Sequence, residues 1–345
     1  MGYYLYMTAG SNKIIRTLCS FENNVSDKTI KDLESWKKDL ESENFNVQTL
    51  RISLNNLSLK DAANLDLHPS IFISAGTVNR IEAEADLNFF LDADNVSFNI
   101  EPDREITIDD VNLLFRIIKE RPEKTFNFAF TFNNAHSSPF FPSSNFRKTG
   151  FSVGMQPTDL SEGCSTLDEW FINMKKSWSE IIRIFGGNKL IGIDSSIAPL
   201  YSGKSSLINF VKKMGGTFTD AVTSDTFLKI SRFIREKNPL PAGLCGIMFP
   251  CLEDFELAEE YESGNFSIER NIFLSLHSGL GIDTYPVAKN ESPERVLQVL
   301  KLLSGLSDKY KKPLAARFVS DGKSKLGEKS SFNNKFLKDV VLRKL

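Results

Sequence analysis

The chain has 345 residues, 41% of them apolar and 25% charged, with a formal net charge of −2. That length holds two average domains or one large α/β domain with a real core. The near-neutral charge gives no bulk electrostatic reason to bind nucleic acid or an anionic membrane, and no apolar stretch approaches the ~20 residues of a membrane span.

At the start, Met1-Gly2-Tyr3 lacks the basic start and long apolar run of a secretory signal. Tyr6 stands where a myristoylation signal wants Ser or Thr, and Met7 could equally be the natural start. Ser26 reads as an N-cap for a polar amphipathic helix to Asn44. Strand-like runs follow at 45–53 ("FNVQTLRIS"), 70–76, 96–100 ("VSFNI"), 126–132 ("FNFAFTF") and 151–156, with helix patterns at 79–92, 109–120 and 166–185. The second half repeats the rhythm. Strands are expected at 189–194, 243–249, 279–284 and 313–319, and helices at 205–214, 220–236, 252–262, 267–277 and 292–309. Such alternation predicts an α/β fold with largely parallel strands.

The least regular stretch is 133–149, "NNAHSSPFFPSSNFRKT". Its length suggests function, and Phe140-Phe141 must pack against something. It is expected to pack over a barrel or to enter a subunit interface, with a ligand lid as the alternative. Cys19, Cys164, Cys245 and Cys251 form no Cys-x-x-Cys pair. Reduced, metal-free thiols in a cytoplasmic protein are expected. His68, His136 and His277 are the only histidines, so zinc-site spacing is absent and catalytic bases are scarce.

"NKLIGIDSSIAPLYSGKSS" (188–206) resembles a strand feeding a phosphate loop. Counting back from Gly203-Lys204-Ser205, however, places Ala198 where the first glycine belongs, and Pro199 deletes a donor the loop needs. Gly322-Lys323-Ser324 fails likewise, with Arg317 at the first-glycine position. No Gly-x-Gly-x-x-Gly follows any strand. What recurs instead is a polar residue just past an apolar run: Asp194 with Ser195, Asp283 with Thr284, Glu253 with Asp254, and Arg317 with Asp321 and Lys323. In α/β folds such positions line the functional crevice. An Asp there can instead cap the next helix, an even alternative for Asp254 and Asp220.

Arg16, Arg51 and Arg317 sit in "IIRTL", "TLRIS" and "AARFV". An arginine in a half-buried strand demands a carboxylate partner or an anionic ligand. The residues therefore outline a site with Asp194, Asp283 and Glu253 as catalytic carboxylates. Arg16, Arg51, Asn133, Asn134, Ser195, Asp254, Arg317 and Lys323 are the candidate substrate-binding groups. The carboxylates could hold a hard divalent cation or divide into acid and base. On this reading Asp194→Asn leaves folding nearly intact and abolishes binding or turnover, while Lys204→Ala does little.

"IIRTLCSF", "NNAHSSPFFPSS", "IGIDSSIAPL", "GLCGIMFPCLEDFELA", "LGIDTYPVAKNESPERVLQVL" and "KKPLAARFVSDGKSKLGEKSSF", in this order, resemble the domain-of-unknown-function family seven-one-one. The resemblance implies one closed α/β barrel of about ten strands over residues 1–345, similar to pyruvate formate-lyase-like glycyl-radical enzymes. It also implies a cytoplasmic homo-oligomer, and no known reaction. A glycyl radical is not expected, because "RFVSDGK" inserts Asp321 before Gly322 and places Lys323 after it. Three functions stay open: an enzyme acting on a small anionic metabolite, a non-catalytic binding or regulatory protein, and a structural subunit docking through Phe140 and Phe141.

Overall fold

Ten strands form one mixed sheet, and of the expected runs only 243–249 is not among them. They are β1 (Ile14–Glu22), β2 (Asn46–Val47), β3 (Leu50–Leu54), β4 (Ile71–Thr77), β5 (Val96–Ile100), β6 (Phe128–Phe132), β7 (Gly150–Met155), β8 (Leu190–Asp194), β9 (Gly281–Pro286) and β10 (Leu314–Val319). The computed structural model describes residues 13–55, 57–186 and 189–345, so the readings at Met1, Gly2, Tyr3, Tyr6 and Met7 lie outside the described residues.

The sheet order is β8-β7-β1-β3-β4-β5-β6-β10-β9, with β2 beside β1. Strands β1 to β6 are mutually parallel. So are β7 with β8, and β9 with β10. The two sets meet antiparallel at β1–β7 and β6–β10. The expected largely parallel sheet is thus two parallel sets of opposite sense. Segment 243–249 makes only isolated bridges, because Gly243 and Cys245 have φ of +67° and +43° and break the extended run. Bridges along 241–250 still place it between neighbours: Ile193 pairs with Pro241, Ile197 with Ile247, Ile247 with Gly279, and Pro250 with Asp283.

Helices cover the sheet's apolar face. The helix Asp27–Ser42 begins at a Ser26–Thr29 capping box and turns Leu33, Trp36 and Leu40 inward at helical spacing. Trp36 stacks on Phe151 of β7 at 3.9 Å between ring centres. The helix Leu167–Phe185 repeats the device with a Thr166–Glu169 capping box, burying Trp170, Met174, Trp178, Ile181 and Phe185. The patterns at 79–92 and 220–236 each divide into two helices, Arg80–Ala85 with Leu87–Asp92 and Phe218–Val222 with Thr226–Lys237. Among the described residues no helix is long and apolar enough to cross a membrane.

The other face is chemically different. Val96, Phe98 and Ile100 of β5 belong to the large apolar cluster under the helices. The residues between them, Ser97 and Asn99, are also buried. Ser53, Ser74 and Ser97 pair in register across β3, β4 and β5. A strand buried at every residue needs cover on both faces, as β5, β6, β7 and β9 are. Loop 133–149 supplies cover on the polar face. Ser144 bonds Ser53 at 3.0 Å and Ser138 bonds Asp194 at 3.1 Å. Its Phe146 joins Cys19 and Phe21 in a second small apolar cluster, against Phe141 and Ile191. Gly154 of β7 permits this approach, since a Cβ there would lie 2.9 Å from the Pro139 ring and 2.7 Å from Thr17.

Candidate functional site

On this polar face lies a cavity of about 290 Å³ lined by Arg16, Arg51, Arg317, Glu253 and Asp283. Five of the eleven residues expected at the site therefore meet at one place. Two of them stand at sheet irregularities. Between Ile15 and Thr17, β1 gains one residue over β7, and that residue is Arg16. Opposite Arg317, β9 spends two residues, Asp283 and Thr284, and Thr284 has a φ of +39°. Bulges of this kind re-aim a side chain that regular pleating would send elsewhere. Arg51 needs none: its register neighbour on β4 is Phe72, which lines the same cavity.

The charges form a chain. Arg317 Nε donates to Asp283 Oδ1 and its Nη2 to Glu253 Oε2, both at 2.6 Å. Arg16 reaches the other Glu253 oxygen at 3.5 Å and Gln156 at 3.3 Å. Side-chain exposures of 11% for Arg317 and 6% for Glu253 mark the pair as buried. Arg51 is the exception. Among the described residues it has no carboxylate partner; its Nε donates to Thr49 Oγ1 at 3.3 Å. Its guanidinium lies 4.8 Å from the Phe141 ring centre and 5.9 Å from that of Phe72. Aromatic faces attract a cation but do not neutralise it.

Burial pulls Arg51 down to about 9, and the nearby Arg16 charge adds to the effect. Burial also lowers Arg16, against the pull of Glu253. For Arg317, burial opposes the charge but Asp283 and Glu253 outweigh it and hold the group above its ordinary range. Burial raises the Glu253 carboxyl, with Arg317 working against the rise. Three guanidiniums thus surround two carboxylates, and the surplus positive charge sits at Arg51.

Loop 133–149 brings Phe140, Phe141, Pro142 and Ser143 to the cavity wall. Phe336, from the chain after β10, closes another side and stacks on Phe126 and Tyr201 at 6.4 and 5.9 Å. The Phe126 ring in turn lies under Arg317, 4.7 Å from its guanidinium carbon. Thr49, Asn95 and Ser97 add polar lining. None of these aromatic or polar groups outside 133–149 is marked by a sequence motif. For Phe72 and Ser97 the two-residue alternation of their strands is the usable signal.

The remaining expected residues lie elsewhere. Asp194 is fully buried and does not line the cavity. It accepts from Ser138 Oγ, from Ser196 N and Oγ, and from the Leu244 and Cys245 amides, the last four at 2.6–3.2 Å. This carboxylate ties loop 133–149, the β8 end and segment 243–249 together. Gly243 is required beside it, since a Cβ there would fall 2.2 Å from Asp194 Oδ2. Ser195 Oγ takes the Trp178 indole N–H at 2.7 Å. Asp254 caps two helices, accepting from Leu257 N and Leu207 N, and burial raises it to about 7. Asn133 bonds Ser307 and Asp308, and Asn134 bonds Glu101 and the Ser143 carbonyl. Lys323 lines a second cavity of about 160 Å³, which shares Phe126 and Asn334 with the first. Gly203-Lys204-Ser205 is a short 3-10 turn before the helix Leu207–Lys213, with Lys204 paired to Glu162 at 3.2 Å.

All four cysteines are free and buried. Among the described residues no group of three or more His, Cys, Asp or Glu side chains could hold a metal ion. The donor set at the cavity fits a divalent cation poorly on its own chemistry, because Glu253 and Asp283 are already counter-ions to guanidinium. Among curated proteins, none matches the chain. The family model described as "Uncharacterised ACR (DUF711)" matches residues 95–333, which include Glu253, Asp283 and Arg317 while Arg16 and Arg51 precede them. With well over half of its length matched, the chain belongs to the DUF711 family.

Proposed function

We propose that this protein is an enzyme that binds a small anionic metabolite at Arg51, in the cavity it shares with Arg16, Arg317, Glu253 and Asp283. One observation carries the reading: a guanidinium held at a cavity wall, between two aromatic rings, with its buried neighbours paired to carboxylates and itself paired to none among the described residues. An enclosed cation of this kind gains most from a ligand that supplies the missing anion through a two-pronged hydrogen bond. Asp283 and Glu253 fix the arginines and are the groups available for proton transfer. Glu253 suits that work best, because burial lifts its carboxyl toward neutrality. The reading involves no glycyl radical: Asp321 organises the turn at Gly322 by accepting from Lys323 N and Ser324 N, which keeps charge beside that glycine.

The reading also takes the sheet to close into one barrel across all the described residues. The bridges of 241–250 to β8 on one side and β9 on the other support closure, as does the opposite sense of the two parallel sets. The placement of Phe140 and Phe141 on the cavity wall favours a ligand role for loop 133–149 over a docking role.

Isothermal titration of small carboxylates and phosphates against wild type and Arg51→Gln tests the reading. At least one anion should bind the wild type, and the variant should lose roughly thirtyfold, the worth of a charged hydrogen bond near 2 kcal/mol. Product analysis on the anion that binds then separates turnover from mere capture. A folded wild type that binds none of them, or an Arg51→Gln protein that binds equally well, would sink the proposal.

A further inference from the structure

The cavity has one charged wall, and the rest of its lining states what the remainder of a ligand should be. This step rests on the anion-binding reading above and deepens it. Phe72, Phe140, Phe141, Leu244, Met248 and Phe336 dominate the uncharged lining. Several of the polar groups beside them are occupied. Thr49 Oγ1 donates to the Arg16 carbonyl at 2.8 Å, Asn95 to the Ile71 carbonyl at 2.8 Å, and Ser97 to the Ile73 carbonyl at 3.1 Å. Asn334 accepts the Phe336 amide at 3.0 Å. Gln48 and Asn127 complete the polar lining, and a sugar-like body would still bury most of its hydroxyls against aromatic rings, which is unfavourable without new partners. An apolar body would remove those rings from water instead.

The charge count limits the head group. Arg317, Arg16, Glu253 and Asp283 form a linked set in contact. Arg51 adds one positive charge to it. Asp94, which also lines the cavity, is exposed to solvent and is left out of the buried count. A single carboxylate balances Arg51. A phosphate monoester carries about −1.5 to −2 near neutral pH and would bury charge without a partner. A dicarboxylate would do the same with its second group, since no second unpaired guanidinium faces the cavity among the described residues. Planar geometry points the same way: a carboxylate matches the guanidinium fork, and among the described residues Arg51 uses only Nε on a protein acceptor. The volume of about 290 Å³ stands at the small end of ligand cavities.

We infer that the natural ligand is a monocarboxylate with an apolar, ring-sized body, its carboxylate on Arg51 and its body against Phe140, Phe141 and Phe336. Differential scanning fluorimetry with phenylacetate, acetate, succinate, inorganic phosphate and phenylacetamide separates the parts of this claim. Phenylacetate should raise the melting temperature of the wild type, at a concentration about tenfold below that at which acetate gives the same shift. Phenylacetamide, succinate and phosphate should give no shift at the phenylacetate concentration, and Arg51→Gln should abolish the phenylacetate shift. Stronger binding of succinate or phosphate would overturn the monocarboxylate class while leaving the anion site standing. Equal shifts from acetate and phenylacetate would overturn the apolar body. Equal shifts from phenylacetamide, or none from any probe, would overturn this inference, and absence of every shift would count against the anion site as well.

Discussion

Asp283 meets Arg317 at 2.6 Å across the only two-against-one step between β9 and β10. The extra residue in β9 is the reason a strand carboxylate faces an arginine on its neighbour. Breaking such a buried pair from one side costs more than the pair contributes, since the survivor is left charged and dry.

Arg317→Met should therefore destabilise the protein by about 3–5 kcal/mol. The loss should depend on pH. Without the guanidinium, Glu253 keeps the burial that raises its carboxyl and loses the cation that works against the rise, so its folded pKa stands further above the unfolded one. A raised carboxyl contributes stability below the unfolded pKa of about 4 and loses it as pH climbs through the folded value. Urea unfolding should show a smaller deficit at pH 5 than at pH 8. Equal deficits would mean that the carboxylates do not depend on Arg317.

Asp194→Asn should behave as a structural lesion, in contrast to its expected role at the site. An amide offers one acceptor oxygen where the native carboxylate receives five hydrogen bonds on two. A loss of about 1–3 kcal/mol of stability is expected for groups left unpaired. Anion affinity at a temperature where the variant is folded should fall far less than for Arg51→Gln, since Asp194 acts only through the loop and Leu244 that it holds. Native stability with lost affinity would return Asp194 to the site.

The paired substitution Phe140→Ala, Phe141→Ala removes two cavity walls and the ring under Arg51. Affinity for phenylacetate should fall by about tenfold or more, as for aromatic anchors elsewhere. Solution mass from light scattering should not change. A change of mass with unaltered affinity would instead assign the loop to a subunit contact.

The four thiols should be silent in the native protein. Each is buried, and burial pushes Cys245 to about 12, with Asp194 adding to the rise. Little thiolate exists at pH 8 to attack a disulfide reagent. Ellman's reagent should count four thiols in guanidinium chloride and show only slow reaction without it. A thiol that reacts at once in the folded protein would place a reactive cysteine at the surface.

Arg16, Arg51, Arg317, Glu253 and Asp283 were legible in the sequence because guanidinium and carboxylate groups among apolar strand residues are costly unless they meet. The β5 and β6 strands were legible for a related reason. "VSFNI" and "FAFTF" alternate apolar residues for the helical side with small or polar ones for the enclosed side. Asp194 was misplaced because strand-end position cannot tell which way a carboxylate turns. Its donors come from Ser138, Leu244 and Cys245 as well as Ser196, and only the fold brings the first three near. Asp254 fell to the capping alternative that its place before a helix already offered. Phe336 was invisible, since the chain after β10 has no periodicity and reaches the cavity through ring stacking.

A crystal structure with 4-bromophenylacetate, whose bromine marks the body by anomalous scattering, shows directly whether Arg51 holds the anion. The carboxylate should lie about 3 Å from the terminal nitrogens of Arg51. The bromine should lie among Phe140, Phe141 and Phe336, with the Arg317–Asp283 contact undisturbed. A ligand bound away from Arg51, or a cavity that stays empty at concentrations that shift the melting temperature, would contradict this placement.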